Sequence, residues 1–513
     1  MPAAGPRKRP QPKARPAGGL YQNLIFDTFE RVFGALRPAF TRELTFRWAC
    51  TASLGLAVRD EDAGVASIVR ALGLDDDAYH CLLRCFRSEA VDLRELTRLW
   101  CGAVRDLAAP ATVNGRRLVA GDGVKVAKEG LRIPGVKRLH QESGDQSKAE
   151  FIRGHMIGAV GAVVECAGGG RSCVPLGAEL QDGMRATAGW EGSPFPDESH
   201  TVQAVGLAFR CARELGPCYL LLDRFFLTAP TLRRLGELNA AEAGGTEGAE
   251  PLVHVVTKAR SNCVACERPP ERAPGTPGRP RVKGDPVRLE SLFDEAGAFS
   301  GARVRIGDDE RDVRLRSVEL LWGKGLWRPL QFVLVECGGR RSVLATTDLE
   351  AAPEQVVELY GARFGIEHMF RSLKQDVGAC GYRFWSGSCP ELGRYGRGGD
   401  PDRLEGVTDP AEREEILACA EANARFVAAA LIAQGTLQIV ASMLDPLGET
   451  GLVEFRRTHG EARTTPRTVQ RVARRQVSAH IADAPAGTIG AFIRGRLVGP
   501  GGYRLHKRWV RAA

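Results

Sequence analysis

Acidic residues are missing from the first 19 positions of this 513-residue chain, which carry five Lys/Arg and five prolines. That much proline excludes helix, and the lack of an apolar core excludes a secretory signal, so 1–19 reads as a disordered basic arm. A disulfide framework is missing too. The 14 cysteines are scattered, with one close pair, Cys263 and Cys266, in C-x-x-C spacing. Such thiols suit a reducing, cytoplasmic setting, and with no second pair at ligand spacing a zinc site is not expected. The apolar stretch 426–444 approaches membrane-spanning length, but Gln434, Thr436, Gln438 and Ser442 interrupt it. A core helix is expected there, and no membrane partner.

With 43% apolar and 26% charged residues, composition is that of a folded globular protein, long enough for about three structural units. The net charge of +9 is unevenly divided. Residues 451–513 hold 13 Lys/Arg against three acids, which with the basic arm leaves −6 for residues 20–450. Two basic ends on a mildly acidic body suit a protein that grips a polyanion around acids reserved for metal; two solvated tails would give the same count.

Apolar residues at three-to-four spacing (Leu24, Ile25, Phe29, Val32, Phe33) mark 20–112 as all-helical. Within it Gly64 to Leu72, a turn at Gly73, and a second helix from Asp75 to Phe86 have the form of a helix-turn-helix, either a DNA-reading unit or a packing pair. From residue 113 the pattern turns extended. Strands are expected at Arg117 to Val126, Phe151 to Cys166 and Ser172 to Glu179, a helix at Thr201 to Leu215, and a buried strand in PCYLLLDRFF. A helix at Ala229 to Leu238 and a strand at Leu252 to Lys258 complete the element order of a ribonuclease-H-like α/β core. Six prolines in 268–286 then predict an exposed loop, opening a β-rich insertion over 262–350. One long helix is expected from Pro353 to about Val377.

Three acids stand out. Asp122 lies among small residues in VAGDGVKV, Asp223 ends the buried strand, and Glu367 sits on the long helix. A carboxylate at the end of an apolar run is costly unless it faces a cleft or a partner. In YGARFGIEHMFRSLK, Tyr360, Arg363, Glu367 and Lys374 are offset by 0, 3, 7 and 14 residues. On a continuous helix this places them within about 60° of arc, one polar stripe beside the apolar Ile366, Met369 and Leu373. His140 and His155 read as DNA contacts or, more often for lone histidines near strands, as surface or core groups. Trp322 and Trp327 read as buried in the insertion or as platforms for an unpaired base.

This spacing of Tyr, Arg, Glu and Lys resembles the signature of insertion-sequence transposases of the DDE class, in their IS-four-like group. DGVKVAKEGLRIPGVKRLHQES from Asp122 and LLLDRFFLTAPTLRRL around Asp223 are similar to that family's two aspartate blocks, and Thr346 to Leu349 (TTDL) is similar to the segment before its signature. The resemblance implies that Asp122, Asp223 and Glu367 hold Mg²⁺, with Mn²⁺ able to substitute, and that Tyr360, Arg363 and Lys374 contact DNA. It further implies a transposase that cleaves the ends of an element and joins them to target DNA, acting as a homodimer or higher oligomer on paired ends, cytoplasmic and nucleoid-associated when bound. A repurposed DNA-binding protein without catalysis, or a metal-dependent nuclease without strand transfer, is the alternative. The implied layout is a helical DNA-binding domain (20–112), a ribonuclease-H-like core in two parts (113–261 and 351–400) flanking the β-rich insertion, and a helical C-terminal region with a basic tail (401–513).

Overall fold

The computed structural model describes residues 19–61, 64–141, 149–246, 248–272, 277–393, 402–444 and 463–498. The basic arm lies outside them except for Gly19, as do 445–462 and 499–513 of the basic C-terminal region.

Five helices come first: α1 (Gly19–Leu36), α2 (Glu43–Val58), α3 (Gly64–Leu72), α4 (Asp76–Phe86) and α5 (Leu93–Leu107). Local chemistry sets their starts. Asp75 accepts from the Ala78 amide to cap α4, and Asp92 accepts from the Arg94 and Glu95 amides to cap α5. The spacing of Leu96, Trp100, Cys101 and Val104 then buries one face of α5, where the Trp100 indole donates to the Pro175 carbonyl at 2.7 Å.

The strands follow: β1 (Thr112–Val113), β2 (Arg116–Ala127), β3 (Lys137–His140), β4 (Phe151–Glu165) and β5 (Arg171–Leu180). After α6 (His200–Leu215) come β6 (Cys218–Leu222), α7 (Ala229–Glu242) and β7 (Val253–Lys258). In space the order is β5-β4-β2-β6-β7, antiparallel across β5/β4 and β4/β2, parallel across β2/β6 and β6/β7. The parallel pairs are joined through helices, as parallel strands require.

Beyond β7 the chain adds β8 (Val264–Cys266), β9 (Pro286–Arg288), β10 (Ser300–Ile306), β11 (Asp309–Trp322), β12 (Arg328–Cys337) and β13 (Arg340–Thr346). They do not form a sheet apart. β13 pairs antiparallel with β7, so the inserted strands extend the core into one 13-stranded mixed sheet and the protein is mixed α/β. A satellite core that includes Leu289, Phe293, Leu330 and Phe332 lies under them.

The single helix expected from Pro353 to about Val377 is two: α8 (Pro353–Ala362) and α9 (Gly365–Gln375). At the joint the backbone bonds reach three residues back instead of four. Arg363 donates to the Tyr360 carbonyl at 3.2 Å, Ile366 to Arg363 at 3.0 Å and Glu367 to Phe364 at 3.2 Å. A turn wound this tightly redirects the axis yet leaves the apolar spacing almost unchanged, which is why periodicity reads through it. Close packing holds the joint. A Cβ on Gly365 would lie 3.3 Å from Cys173 Cβ on β5.

Three helices end the described chain: α10 (Pro410–Met443), α11 (Pro466–Asp483) and α12 (Ile489–Arg494). Among the described residues α10 alone is long and apolar enough to cross a membrane, but 89% of its apolar window is buried inside the protein. It lies between the first helices and the sheet: Arg425 donates to the Phe86 carbonyl, and Ser53 of α2 donates to Ala429. Among the described residues one continuous core runs from α1 through the sheet to α12, so the first helices pack directly on the rest of the chain.

Candidate active site

Strand register brings the two aspartates together. Pairing between β2 and β6 ends at Gly121 opposite Leu222, so Asp122, still within β2, and Asp223, the first residue beyond β6, each follow that last pair. Asp223 is near enough to Asp122 to push its carboxyl up electrostatically, so the two acids share one site. Local bonds steady each: Asp122 accepts from the Gly123 amide and Asp223 from the Arg224 amide, both at 2.7 Å.

Glu367 arrives from the first turn of α9, where a carboxylate is favoured by the helix dipole. Ile366, Met369 and Leu373 are buried on the opposite face, each contributing about 1.5–3 kcal/mol. Gly161 of β4 makes room for the helix, since a Cβ there would lie 2.7 Å from Met369 Sδ.

Arg363 occupies the middle of the site. Its Nη1 lies 3.3 Å from Asp122 Oδ2 and its Nη2 3.3 Å from Glu367 Oε1. The residue is 6% exposed, its Nε is buried without a hydrogen-bond partner, and its guanidinium lies 5.8 and 5.3 Å from the Tyr360 and Phe364 ring centres. Burial holds the Asp122 carboxyl above its ordinary value; the Gly123 amide and Arg363 pull it down, and Asp223 and Glu367 push it up. The half-buried Tyr360 hydroxyl is also raised, chiefly by burial, with Arg363 opposing and Asp223 adding. Five of the six candidate residues are thus brought together. Lys374, the sixth, is half-buried in the last turn of α9, within electrostatic reach of the Cys380 thiol.

A hard divalent ion fits this donor set in kind. All donors are carboxylate oxygens, and three carboxylates against one guanidinium leave two negative charges. The cage is not closed, however. Among the described residues no three acid, histidine or cysteine side chains converge closely enough to hold one ion, and Arg363 lies between Asp122 and Glu367.

Beside the site, residues without a sequence signal tie β2 to the chain that follows α9. Lys128 donates to the Cys380 and Tyr382 carbonyls at 2.6 and 2.9 Å, with its ammonium 3.2 Å from the Tyr382 ring centre. The Tyr382 hydroxyl meets His155 Nδ1 at 2.6 Å, and His155 Nε2 lies 2.8 Å from the Pro134 carbonyl, which can only accept. Neutral His155 therefore donates through Nε2 and accepts from Tyr382. Burial pushes His155 down to about 3 and Lys128 down to about 7.

The helix pair read as a DNA-reading unit is present, with Gly73 at φ +65°. Its turn is covered: Asp75 donates to the Arg496 carbonyl and Val498 to Gly73. Asp75, Asp76 and Asp77 also make the start of α4 acidic. At its other end a groove of about 690 Å³ collects the exposed Arg42, Arg84 and Arg87 with Ser88, Thr41 and Leu44. Elsewhere, His140 is on the surface, Cys263 accepts from the half-buried Trp322 indole, Cys266 is buried, and the half-buried Trp327 stacks under the Lys283 ammonium. Trp385, which the sequence did not single out, is 61% exposed.

No family model matches the chain, and no curated protein matches its sequence.

Proposed function

We propose that this protein is a DDE-type DNA transposase, which cleaves the ends of an element and joins them to target DNA. The observation that carries the reading is the gathering of three acids: Asp122 on β2 and Asp223 just after the last β2/β6 pair lie within electrostatic reach of each other, and Glu367 is linked to Asp122 through Arg363. The strand order β5-β4-β2-β6-β7, with its change from antiparallel to parallel at β2, supports a ribonuclease-H-like core.

In this reading Asp122, Asp223 and Glu367 would hold Mg²⁺ or Mn²⁺, which supplies activation of the attacking oxygen and stabilisation of the leaving one in phosphodiester chemistry. The protein's own residues do the rest. β2 and β6 bring the segments that carry the aspartates side by side, and α9 presents Glu367 opposite a face anchored by three buried side chains. Tyr360 and Arg363 lie beside the acids, where a phosphate would be met, and a guanidinium can meet it with two donors. The groove beside Arg42, Arg84 and Arg87 would take DNA backbone away from the cut, and paired ends imply at least two copies of the chain.

The test is cleavage and joining of the element's own ends in Mg²⁺ by the full chain and by Asp122→Ala, Asp223→Ala and Glu367→Ala. Loss of both reactions in every variant, with end binding retained, is expected. A variant that cleaves at the wild-type rate removes that residue, and cleavage without joining makes the protein a nuclease.

A further inference from the structure

We propose that, in the protein free of DNA, Arg363 stands in for the divalent cation: it is the internal counter-ion of Asp122 and Glu367 and must withdraw before an ion is gripped. The inference rests on the metal-site reading above and changes the role of Arg363 within it, from a contact to DNA alone to a positioning residue that competes with the ion.

Four observations carry it. The guanidinium bridges carboxylates 245 residues apart in sequence, one on the sheet and one on α9, and so spans the gap that keeps them from converging. Both contacts are 3.3 Å, against about 2.7–2.9 Å for a tight charge-assisted pair, so charge holds the group there without a locked fork. Arg363 is 6% exposed between the Tyr360 and Phe364 rings, so the cation is kept at the carboxylates and not loose in solvent. Its Nε is buried with no acceptor, so this position leaves a donor unsatisfied and withdrawal does not cost a complete set of bonds.

The consequence is an ordering of events. A phosphate arriving beside Arg363 offers the guanidinium better acceptors than two stretched carboxylate contacts, and drawing Arg363 onto it frees Asp122 and Glu367. Ion binding and DNA binding then support each other, although ion and phosphate touch different groups.

Mn²⁺ binding to the full chain without DNA, followed by the loss of the free-ion spin-resonance signal, tests this independently of cleavage. Arg363→Gln removes the charge and keeps a polar side chain of similar reach; it should bind Mn²⁺ about tenfold or more tightly than wild type. Arg363→Lys, which restores a cation, should return towards wild type. Arg363→Met, which keeps the packing stem, repeats the measurement if the Gln variant does not fold. Asp122→Asn reports whether the ion sits at this site. If Asp122→Asn weakens Mn²⁺ binding while Arg363→Gln and Arg363→Met match wild type, the counter-ion role is overturned and the metal site stands. If no variant shows Mn²⁺ binding that depends on Asp122, the metal reading fails, and this inference with it.

Discussion

The sheet and the helices of this protein place their functional groups by different means. Asp122 and Asp223 are adjacent because β2 and β6 pair in a register that a one-residue slip would invert, turning buried side chains outward. Glu367 is where it is because α9 packs against Cys173 and Gly161 after a tight joint, and nothing in the backbone bonds of α9 itself demands that position. The strand-borne acids are thus fixed by pairing between neighbours, and the helix-borne acid by contacts between segments some 200 residues apart.

The largest expected effect treats both kinds of acid alike. Ala at Asp122, Asp223 or Glu367 removes one carboxylate of the proposed ion site. If each supports several kcal/mol of transition-state stabilisation, cleavage falls by about 10³-fold or more. Single-turnover cleavage of a labelled end measures it.

Separating the two requires a change that disturbs only the packing of α9. Gly365→Val adds a side chain where a Cβ alone already lies 3.3 Å from Cys173, and overpacking of this kind costs about 1–3 kcal/mol. Displacing Glu367 by about 1 Å should lower cleavage by roughly 10²-fold while the aspartates stay in register. An unchanged rate in a folded Gly365→Val protein would show that Glu367 is positioned otherwise. Urea unfolding supplies the stability measurement.

What could be read in the sequence divides along the same line. Strands β2, β4, β5, β6 and β7 and the segments around Asp122 and Asp223 are legible because alternation, apolar runs and turn residues are local signals, whereas the four-residue β3 carries no such signal. Arg363 paired with Glu367 is legible as an i,i+4 contact, whereas its bridge to Asp122 spans 241 residues and leaves no trace. The break between α8 and α9 is hidden because one tight turn barely shifts the apolar spacing. The union of α1–α5 with α10–α12 is hidden because a helix face shows that it will be buried but not by what. Lys128, Tyr382 and His155 are ordinary residues in sequence and become a network only through the fold.

That network makes the sheet side sensitive to acid. The unfolded chain takes up a proton on His155 at about 6.5, which the folded chain refuses until about 3, so stability falls as pH drops through this window. Between pH 6.5 and 5 the loss is about 2 kcal/mol. Lys128 acts in the opposite window, with stability rising from about pH 7 towards 10.5 as the unfolded chain keeps a proton that the folded chain has released. Urea midpoints at pH 6.5 and 5 should differ by less in His155→Gln than in wild type. Equal differences would mean that His155 is protonated in the fold.

The smallest effect concerns helices α1–α5, and it decides which end of α4 would meet DNA under the proposed function. A recognition helix presents its N-terminal residues to base edges. Here those residues are Asp75, Asp76 and Asp77, and the turn before them is paired with Arg496–Val498, so phosphate is repelled and access is blocked. Arg42, Arg84 and Arg87 at the groove are exposed and offer positive charge without that cover. Ala at any one should weaken end binding a few-fold at physiological salt and reduce the log-log salt slope by about one per lost phosphate contact. The full chain is the proper subject, because α2 loses the cover of α10 in a fragment ending before Val113. Lys374→Ala, tested beside them, asks whether the far end of α9 also reaches DNA. Asp76→Asn with Asp77→Asn completes the comparison: if DNA approached the start of α4, removing two negative charges would tighten binding and raise sequence preference, whereas approach at the groove leaves both unchanged. Tighter binding by the Asn variant together with unaltered salt slopes in the Arg variants would move recognition back to the helix start.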